Sequence, residues 1–170
     1  DGDKNWIYTR IFTEENKTNE HLTFADGLQQ VRQDQTKVEG RVVGIQTLQD
    51  YAGRDALISL PIPFVGSQNN FGFKNRGFIS DEQSFSTADF DLNPYNPALI
   101  DNSYYSGNDL SENQQQSIIN ANVPDAEGFP YTRMIYQNDG TGRLREEGGV
   151  GETHHVGNKS TKTFYTGVQE

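Results

Sequence analysis

Runs of aromatic and β-branched residues recur along this chain, and each run stops at a polar or Gly-containing step. Trp6-Ile7-Tyr8-Thr9-Arg10-Ile11-Phe12-Thr13 comes first. Such residues fit a pleated, half-buried surface, so the run predicts a strand. Residues 14–20 are polar and predict a loop. Leu22-Thr23-Phe24 predicts a second strand that closes at Asp26-Gly27. That dipeptide favours a hairpin, because Gly takes positive φ freely. Residues 31–38 alternate loosely, and Glu39-Gly40 predicts the next turn. Residues 41–48 carry Val42, Val43, Ile45 and Leu48, the pattern of a central strand. Ala52-Gly53 turns the chain again, and residues 56–60 complete a strand block over 5–64. Pro61-Ile62-Pro63 is expected to end it. Neither proline can donate to a ladder, so the segment belongs at an edge or outside the sheet.

Residues 66–109 differ in character. They are rich in Asn, Ser, Gly and Asp, with Phe71, Phe73, Phe78, Phe85, Phe90, Tyr95, Tyr104 and Tyr105 at irregular spacing. A structureless stretch of this length is uncommon inside a compact domain. The aromatics therefore predict a long loop pinned across a surface. Residues 110–121 predict one short helix: Leu110, Gln114 and Ile118 share a face, and Asp109 or Ser111 can cap the start. Glu112 favours the positive N-terminal end, and Pro124 lies just past the stop. Strands return over 131–167: residues 131–136 alternate, 138–142 turn, and 143–146 form the antiparallel partner. Gly148-Gly149-Val150-Gly151 reads as a flexible break, and residues 162–166 as a final strand. The expected fold is mainly β, a curved antiparallel sheet in meander order, forming a single β-rich segment over 1–170.

Composition sharpens that picture. Only 32% of the 170 residues are hydrophobic, yet 11% are aromatic. Disordered chains are poor in aromatics, so this is a folded but polar chain. It suits a single-layer or strongly curved sheet, or a fragment of a much longer polypeptide. The opening Asp1-Gly2-Asp3-Lys4 reads as the start of a mature or excised segment. A net charge of −10 argues against nucleic acid and anionic membrane as partners, since both need clustered Lys and Arg. No apolar run reaches the roughly 20 residues of a membrane helix. Without cysteine there are no disulfides and no thiolate metal sites.

Candidate chemistry is sparse. His154 and His155 are adjacent, whereas strand ligands sit two apart and helix ligands four apart. Asn138-Asp139-Gly140-Thr141-Gly142 resembles half of a calcium loop but lacks its alternating oxygen ligands. Asp89-Phe90-Asp91 is weaker still. No glycine cluster has the Gly-Lys-Ser/Thr ending of a phosphate loop, and Ser80, Ser84 and Ser86 show no nucleophile-elbow pattern. A hydrolase built on an acid pair would need two carboxylates singled out from 24 acidic residues, and nothing does so. The reading is non-enzymatic, with no catalytic, cofactor-binding or metal-binding residue and no cofactor. An alternative is a carbohydrate-binding or adhesin β-domain at the bacterial surface, with Phe and Tyr of 71–105 stacking on sugars.

One unit recurs. Tyr136-Gln137-Asn138-Asp139-Gly140-Thr141-Gly142-Arg143-Leu144 sets an aromatic residue before an acidic, Gly-rich turn and a Gly-Arg-apolar step. Phe24-Ala25-Asp26-Gly27-Leu28 and Tyr51-Ala52-Gly53-Arg54 are weaker versions. The expected turn residues are Asp26, Gly27, Tyr51, Gly53, Arg54, Tyr136, Asp139, Gly142 and Arg143. In each turn Gly would relieve the backbone, and Arg would lie along an aromatic ring and pair with an acid.

This unit resembles the tyrosine-aspartate repeats of Rhs-type polymorphic toxins. With Asn5-Trp6-Ile7-Tyr8-Thr9-Arg10, Leu60-Pro61-Ile62-Pro63, Asp125-Ala126-Glu127-Gly128-Phe129-Pro130-Tyr131 and Glu147-Gly148-Gly149, the chain is similar to the region preceding those repeats in Rhs-like secreted proteins of Bacteroidota. Where the family continues Gly-Arg after the first acidic turn, this chain has Gln29-Gln30. The resemblance implies a structural role in starting or closing a β shell around a C-terminal toxin or effector. It implies a secreted or cell-surface location. Its partners would be the rest of the same polypeptide, the shell repeats and effector, and secretion machinery. The self-cleaving aspartate segment of that family has no counterpart here.

Overall fold

Alternation of side chains along paired strands decides which face of this protein is covered. In the computed structural model, residues 4–14, 17–64, 66–74, 93, 95, 103–105 and 123–167 are described. They contain strands β1 (Asn5–Phe12), β2 (Thr18–Ala25), β3 (Val31–Val38), β4 (Arg41–Gln49), β5 (Asp55–Ser59), β6 (Ile62–Pro63), β7 (Tyr131–Tyr136), β8 (Leu144–Gly148) and β9 (Thr161–Lys162). All belong to one open antiparallel sheet in the order β1-β2-β3-β4-β5-β7-β8-β9, with β6 also on β4. The fold is therefore mainly β, and it is a meander.

Opposed residues share a face of the sheet. Leu22 lies opposite Gln35, Gln33 opposite Gln46, and Leu48 opposite Leu57. These side chains are all buried. The face is covered by chain that returns over it. Val42, Ile62 and Phe64 form one cluster with Phe71, Tyr104 and Tyr105, and Leu48, Leu57 and Tyr131 form a second with Phe129. The opposite face, carrying Ile45, Ile58 and Thr132, is half-exposed. A sheet with one covered face needs few apolar residues, which accounts for the low hydrophobic content.

Several expectations are corrected. β2 begins at Thr18, inside the predicted 14–20 loop. Its polar start stays in the ladder because Glu20 meets Arg10 at 3.3 Å, Lys37 at 3.4 Å and the Tyr8 hydroxyl at 2.9 Å. The prolines do not end pairing either, but their segment lies at an edge as expected, since β6 pairs with β4 alone among the described strands. β5 pairs with Thr47–Gln49 of β4 and β6 with Val43 and Gly44, so the two follow one another along the same strand edge. Between them the Ser59 hydroxyl accepts the Gln46 amide at 2.9 Å. β9 stops at Lys162, and residues 164–166 lie outside it.

Gly148 is not a flexible break. It sits in β8, where a Cβ would stand 2.3 Å from the Val156 nitrogen. Of the predicted 66–109 loop, Phe71 and Phe73 pack edge-on against Tyr8 and Phe24. Residues 66–68 and 103–105 form single 3-10 turns. The predicted helix over 110–121, Ser80, Ser84, Ser86, and Asp89 with Asp91 lie outside the described residues. No described helix is long and apolar enough to cross a membrane.

Candidate functional site

In a meander, every second reversal falls on the same margin of the sheet. The β2–β3, β4–β5 and β7–β8 turns therefore line up along one side. They hold eight of the nine expected turn residues, and the ninth, Tyr136, ends the strand that leads into the third turn. Asp26 and Gly27 lie in the first, Tyr51, Gly53 and Arg54 in the second, and Asp139, Gly142 and Arg143 in the third, just after Tyr136 ends β7.

The first two turns are built alike on an aspartate. Asp26 Oδ1 accepts the Leu28 and Gln30 amides at 2.9 and 3.0 Å, and Asp50 Oδ1 accepts those of Ala52 and Arg54 at 3.0 and 2.9 Å. The Gln29 amide donates to the Asp26 carbonyl as that of Gly53 does to Asp50, both at 3.0 Å. The fourth residue of each turn is left-handed, with φ of 63° at Gln29 and 75° at Gly53. The expected positive φ at Gly27 is thus displaced to Gln29. The carboxylate does the work of capping, since it satisfies amides that a tight reversal leaves unpaired.

The third turn is wider. Gln137 N–H donates to the Arg143 carbonyl at 2.8 Å, and Gly140 and Gly142 are left-handed. Asp139 accepts the Thr141 hydroxyl at 2.6 Å and its amide at 3.0 Å, while Arg143 reaches the other carboxylate oxygen at 2.6 Å. The Thr141 hydroxyl and then the Arg143 guanidinium hold the Asp139 carboxyl well below the usual range. These contacts tie the Asp139 carboxylate into its own turn.

Each turn also reaches its neighbour. The Gln30 side-chain amide donates to the Gly53 carbonyl at 2.7 Å, and Arg32 donates to Gln49 at 2.7 Å. Arg54 is held by Asp50 Oδ2 at 2.6 and 2.7 Å and lies 4.5 Å over the Tyr136 ring. The Tyr136 hydroxyl returns the contact by donating to the Asp55 carbonyl at 2.8 Å. Burial and the nearby Asp55 and Asp50 charges push that phenol up, so it stays a donor at neutral pH. Arg143 lies 4.7 Å over the Tyr165 ring. Arg54 and Arg143 thus each join an acid to an aromatic ring.

A cavity of about 230 Å³ opens on this margin between Tyr51, Arg54, Met134, Tyr136, Asn138 and Arg145. The acid in its wall is Asp50, which Arg54 already holds. At its back Arg133 is buried, which pushes the guanidinium down to about 10. The buried Glu146 lies elsewhere, taken up by the Ser160 hydroxyl and the Gly157 amide. No group of three His, Cys, Asp or Glu able to hold a metal occurs among the described residues. His155 stacks on Phe129 at 4.3 Å, and His154 is exposed.

The sequence reading missed Asp50, Gln29 and Gln30. Aligning the units on aspartate, with a left-handed residue three positions on, would have found them. The sequence matches no protein-family model and no curated protein.

Proposed function

We propose that the chain is a non-catalytic wall segment of a larger secreted or surface-displayed β protein. It would act as the resemblance to Rhs-like shells implies, starting or closing a wall around a C-terminal effector. Its partners would then be later parts of the same polypeptide.

The supporting observation is the chain of contacts that leads from the first aspartate turn to the second and from the second to the strand of the third, Gln30 to Gly53 and Arg54 to Tyr136, and onward from the third turn to the segment after β9, Arg143 to Tyr165. Such a margin is held by nearest-neighbour contacts, as in repeat architectures, and can be extended by adding strands. The turn acids are consumed in holding the turns, so they serve shape. Bending is possible where left-handed residues relieve the corners.

Reading the gene on both sides of these residues, followed by electron microscopy of its product, tests the proposal. The expected result is one reading frame with further aspartate turns beyond β9, and a hollow particle. A gene encoding these 170 residues alone would overturn it.

A further inference from the structure

β1 is the last strand of the sheet on its side, and no described strand pairs with its outer edge. Its pairing with β2 runs through eight consecutive residues with no bulge. Exposed edges are normally blunted by proline, inward charges or bulges. β1 has no proline and no bulge, and carries a single charge on its covered side. Its one charge, Arg10, is engaged with Glu20. Large apolar side chains stand exposed on both of its faces: Trp6 (64%) and Phe12 (75%) on the covered side, Ile7 (69%) and Ile11 (57%) on the other. A long, straight, apolar edge of this kind is a template for another strand.

The sequence of the edge says which strand. Residues 6–12 read Trp-Ile-Tyr-Thr-Arg-Ile-Phe, which is nearly palindromic in chemical type about Thr9. We propose that β1 pairs antiparallel with β1 of a second copy of this chain, about a two-fold axis at Thr9. In that register Trp6 opposes Phe12 of the other copy, Ile7 opposes Ile11, Tyr8 opposes Arg10, and Thr9 opposes Thr9. Every opposed pair is of a favourable kind: aromatic on aromatic, β-branched on β-branched, cation on ring, threonine on threonine.

Residues of equal parity meet, so the covered face of one sheet continues the covered face of the other. A slip of one residue would set covered positions against outer ones. A slip of two, centred on Tyr8, sets Trp6 against Arg10 and Ile11 against Asn5, and loses the apolar matches. The pairing is isologous, so it uses both edges and closes without growing into a fibre. The net charge of −10 sets the copies against each other at long range, but β1 itself contains no acid. The inference rests on the edge alone and is independent of the wall reading.

Because this chain has no cysteine, a single introduced thiol reports the register. In the polypeptide that carries these residues, with any cysteine outside them replaced by serine, Thr9→Cys under mild oxidation is expected to give a disulfide joining position 9 of two copies, read by mass spectrometry. Tyr8→Cys is expected to cross-link far less. Ile7→Lys with Ile11→Lys changes only exposed side chains. It is expected to convert a sedimenting dimer to a monomer with unchanged far-ultraviolet circular dichroism. Three results would overturn the proposal. One is a wild-type monomer at about 0.1 mM, which would place dissociation above that concentration. Another is a dimer indifferent to the double substitution. The third is a monomer whose outward-pointing β1 amides, those that do not donate to β2, resist exchange, which would mean that another segment of the same polypeptide fills the edge.

Discussion

Gln35 and Gly72 are joined through both ends of a single side-chain amide. Gln35 Nε2 donates to the Gly72 carbonyl at 2.7 Å, and its Oε1 accepts the Gly72 amide at 3.1 Å. Two residues back, Gln33 does the same for Lys74, at 3.2 and 3.0 Å. Gln35 also donates to Gln33 at 2.6 Å. Residues two apart on β3 point the same way, and residues two apart on an extended segment present their amides the same way. The two glutamines thus act as a rung-for-rung ladder standing on the sheet face. They hold the returning chain where Phe71 and Phe73 reach Tyr8 and Phe24.

Replacing Gln35 with Leu keeps the bulk and removes both contacts to Gly72 and the one to Gln33. The Gly72 N–H and C=O then lose their partners, at a cost of about 1–3 kcal/mol for each group left buried and unpaired. Urea denaturation should show the loss. Hydrogen exchange should quicken at residues 71–74 and leave β7 and β8 unchanged. Unaltered protection at Gly72 would show that the ladder does not hold the segment.

Asp50 is buried and accepts two backbone amides and the Arg54 guanidinium. Asp50→Ala should cost about 2 kcal/mol or more, by the scale of lost capping contacts and of charged hydrogen bonds. Asp50→Asn retains an acceptor for the amides and should cost less, while freeing Arg54 from its ion pair. Chemical denaturation of the two variants checks the order. An equal loss in both would mean that the ion pair, and not the capping, stabilises this turn.

The two like-built turns permit an exchange. Gln29 sits at φ 63° in the place that Gly53 fills in the second turn. A left-handed side chain costs about 1–2 kcal/mol, partly offset by the flexibility that glycine adds to the unfolded chain. Gln29→Gly should therefore raise stability slightly. Gly53→Ala should lower it, since its Cβ would lie 2.7 Å from Gln30 Nε2 and displace that side chain from the Gly53 carbonyl. Thermal melts of both variants check the opposite signs. Equal and like-signed shifts would contradict the shared geometry.

Those turns show what the sequence could and could not tell. Aromatic and β-branched runs located β1, β4, β5 and the end of β2, loose alternation between turns located β3, and the reversals fall at Asp26, Gly53 and Asp139 as expected. Alignment on aromatic residues obscured the shared turn, because Tyr51 follows Asp50 whereas Phe24 precedes Asp26. In the folded turn Tyr51 takes the place of Gly27. Gln33 and Gln35 were illegible for another reason. A glutamine in a strand reads as a solvent-facing position, and only the returning chain makes it a buried one. Gly148 read as a break because its constraint comes from Val156, which folds back onto it. The start of β2 read as loop because Tyr8, Arg10 and Lys37, which satisfy Glu20, lie on neighbouring strands.

Gly148→Ala tests that close approach. A Cβ would stand 2.3 Å from the Val156 nitrogen and 2.8 Å from the His155 carbonyl carbon, both backbone atoms that cannot rotate away. Overpacking of this kind costs about 1–3 kcal/mol, and more where the backbone must move. Gly149→Ala is the control, because its nearest neighbour is the His154 Cβ at 3.4 Å. A lower melting temperature for the first variant, with the second smaller in effect, is expected. Equal effects would mean that residues 155–156 do not lie against β8.

Glu146 ties the same returning segment to β8, and its ionisation makes that tie depend on pH. Burial pushes its carboxyl up, but the Ser160 hydroxyl, the Gly157 amide, the Lys162 charge and the Tyr95 hydroxyl outweigh burial and hold it below its ordinary 4.5. A carboxyl held lower in the folded state than in the unfolded one stabilises the fold above the unfolded value. That contribution is lost as pH falls through the folded one. This contribution to wild-type stability should therefore decline as pH falls through the ordinary carboxyl value of 4.5, where the unfolded carboxyl is half protonated, toward the lower folded one. Glu146→Gln keeps the shape and removes the charge. Its deficit relative to wild type should be largest at neutral pH and shrink on acidification. Denaturation curves at neutral and acidic pH, with exchange at Gly157 as a local readout, measure both. A deficit that stays constant with pH would show that the carboxylate's charge contributes nothing to holding residues 157–160 against the strand.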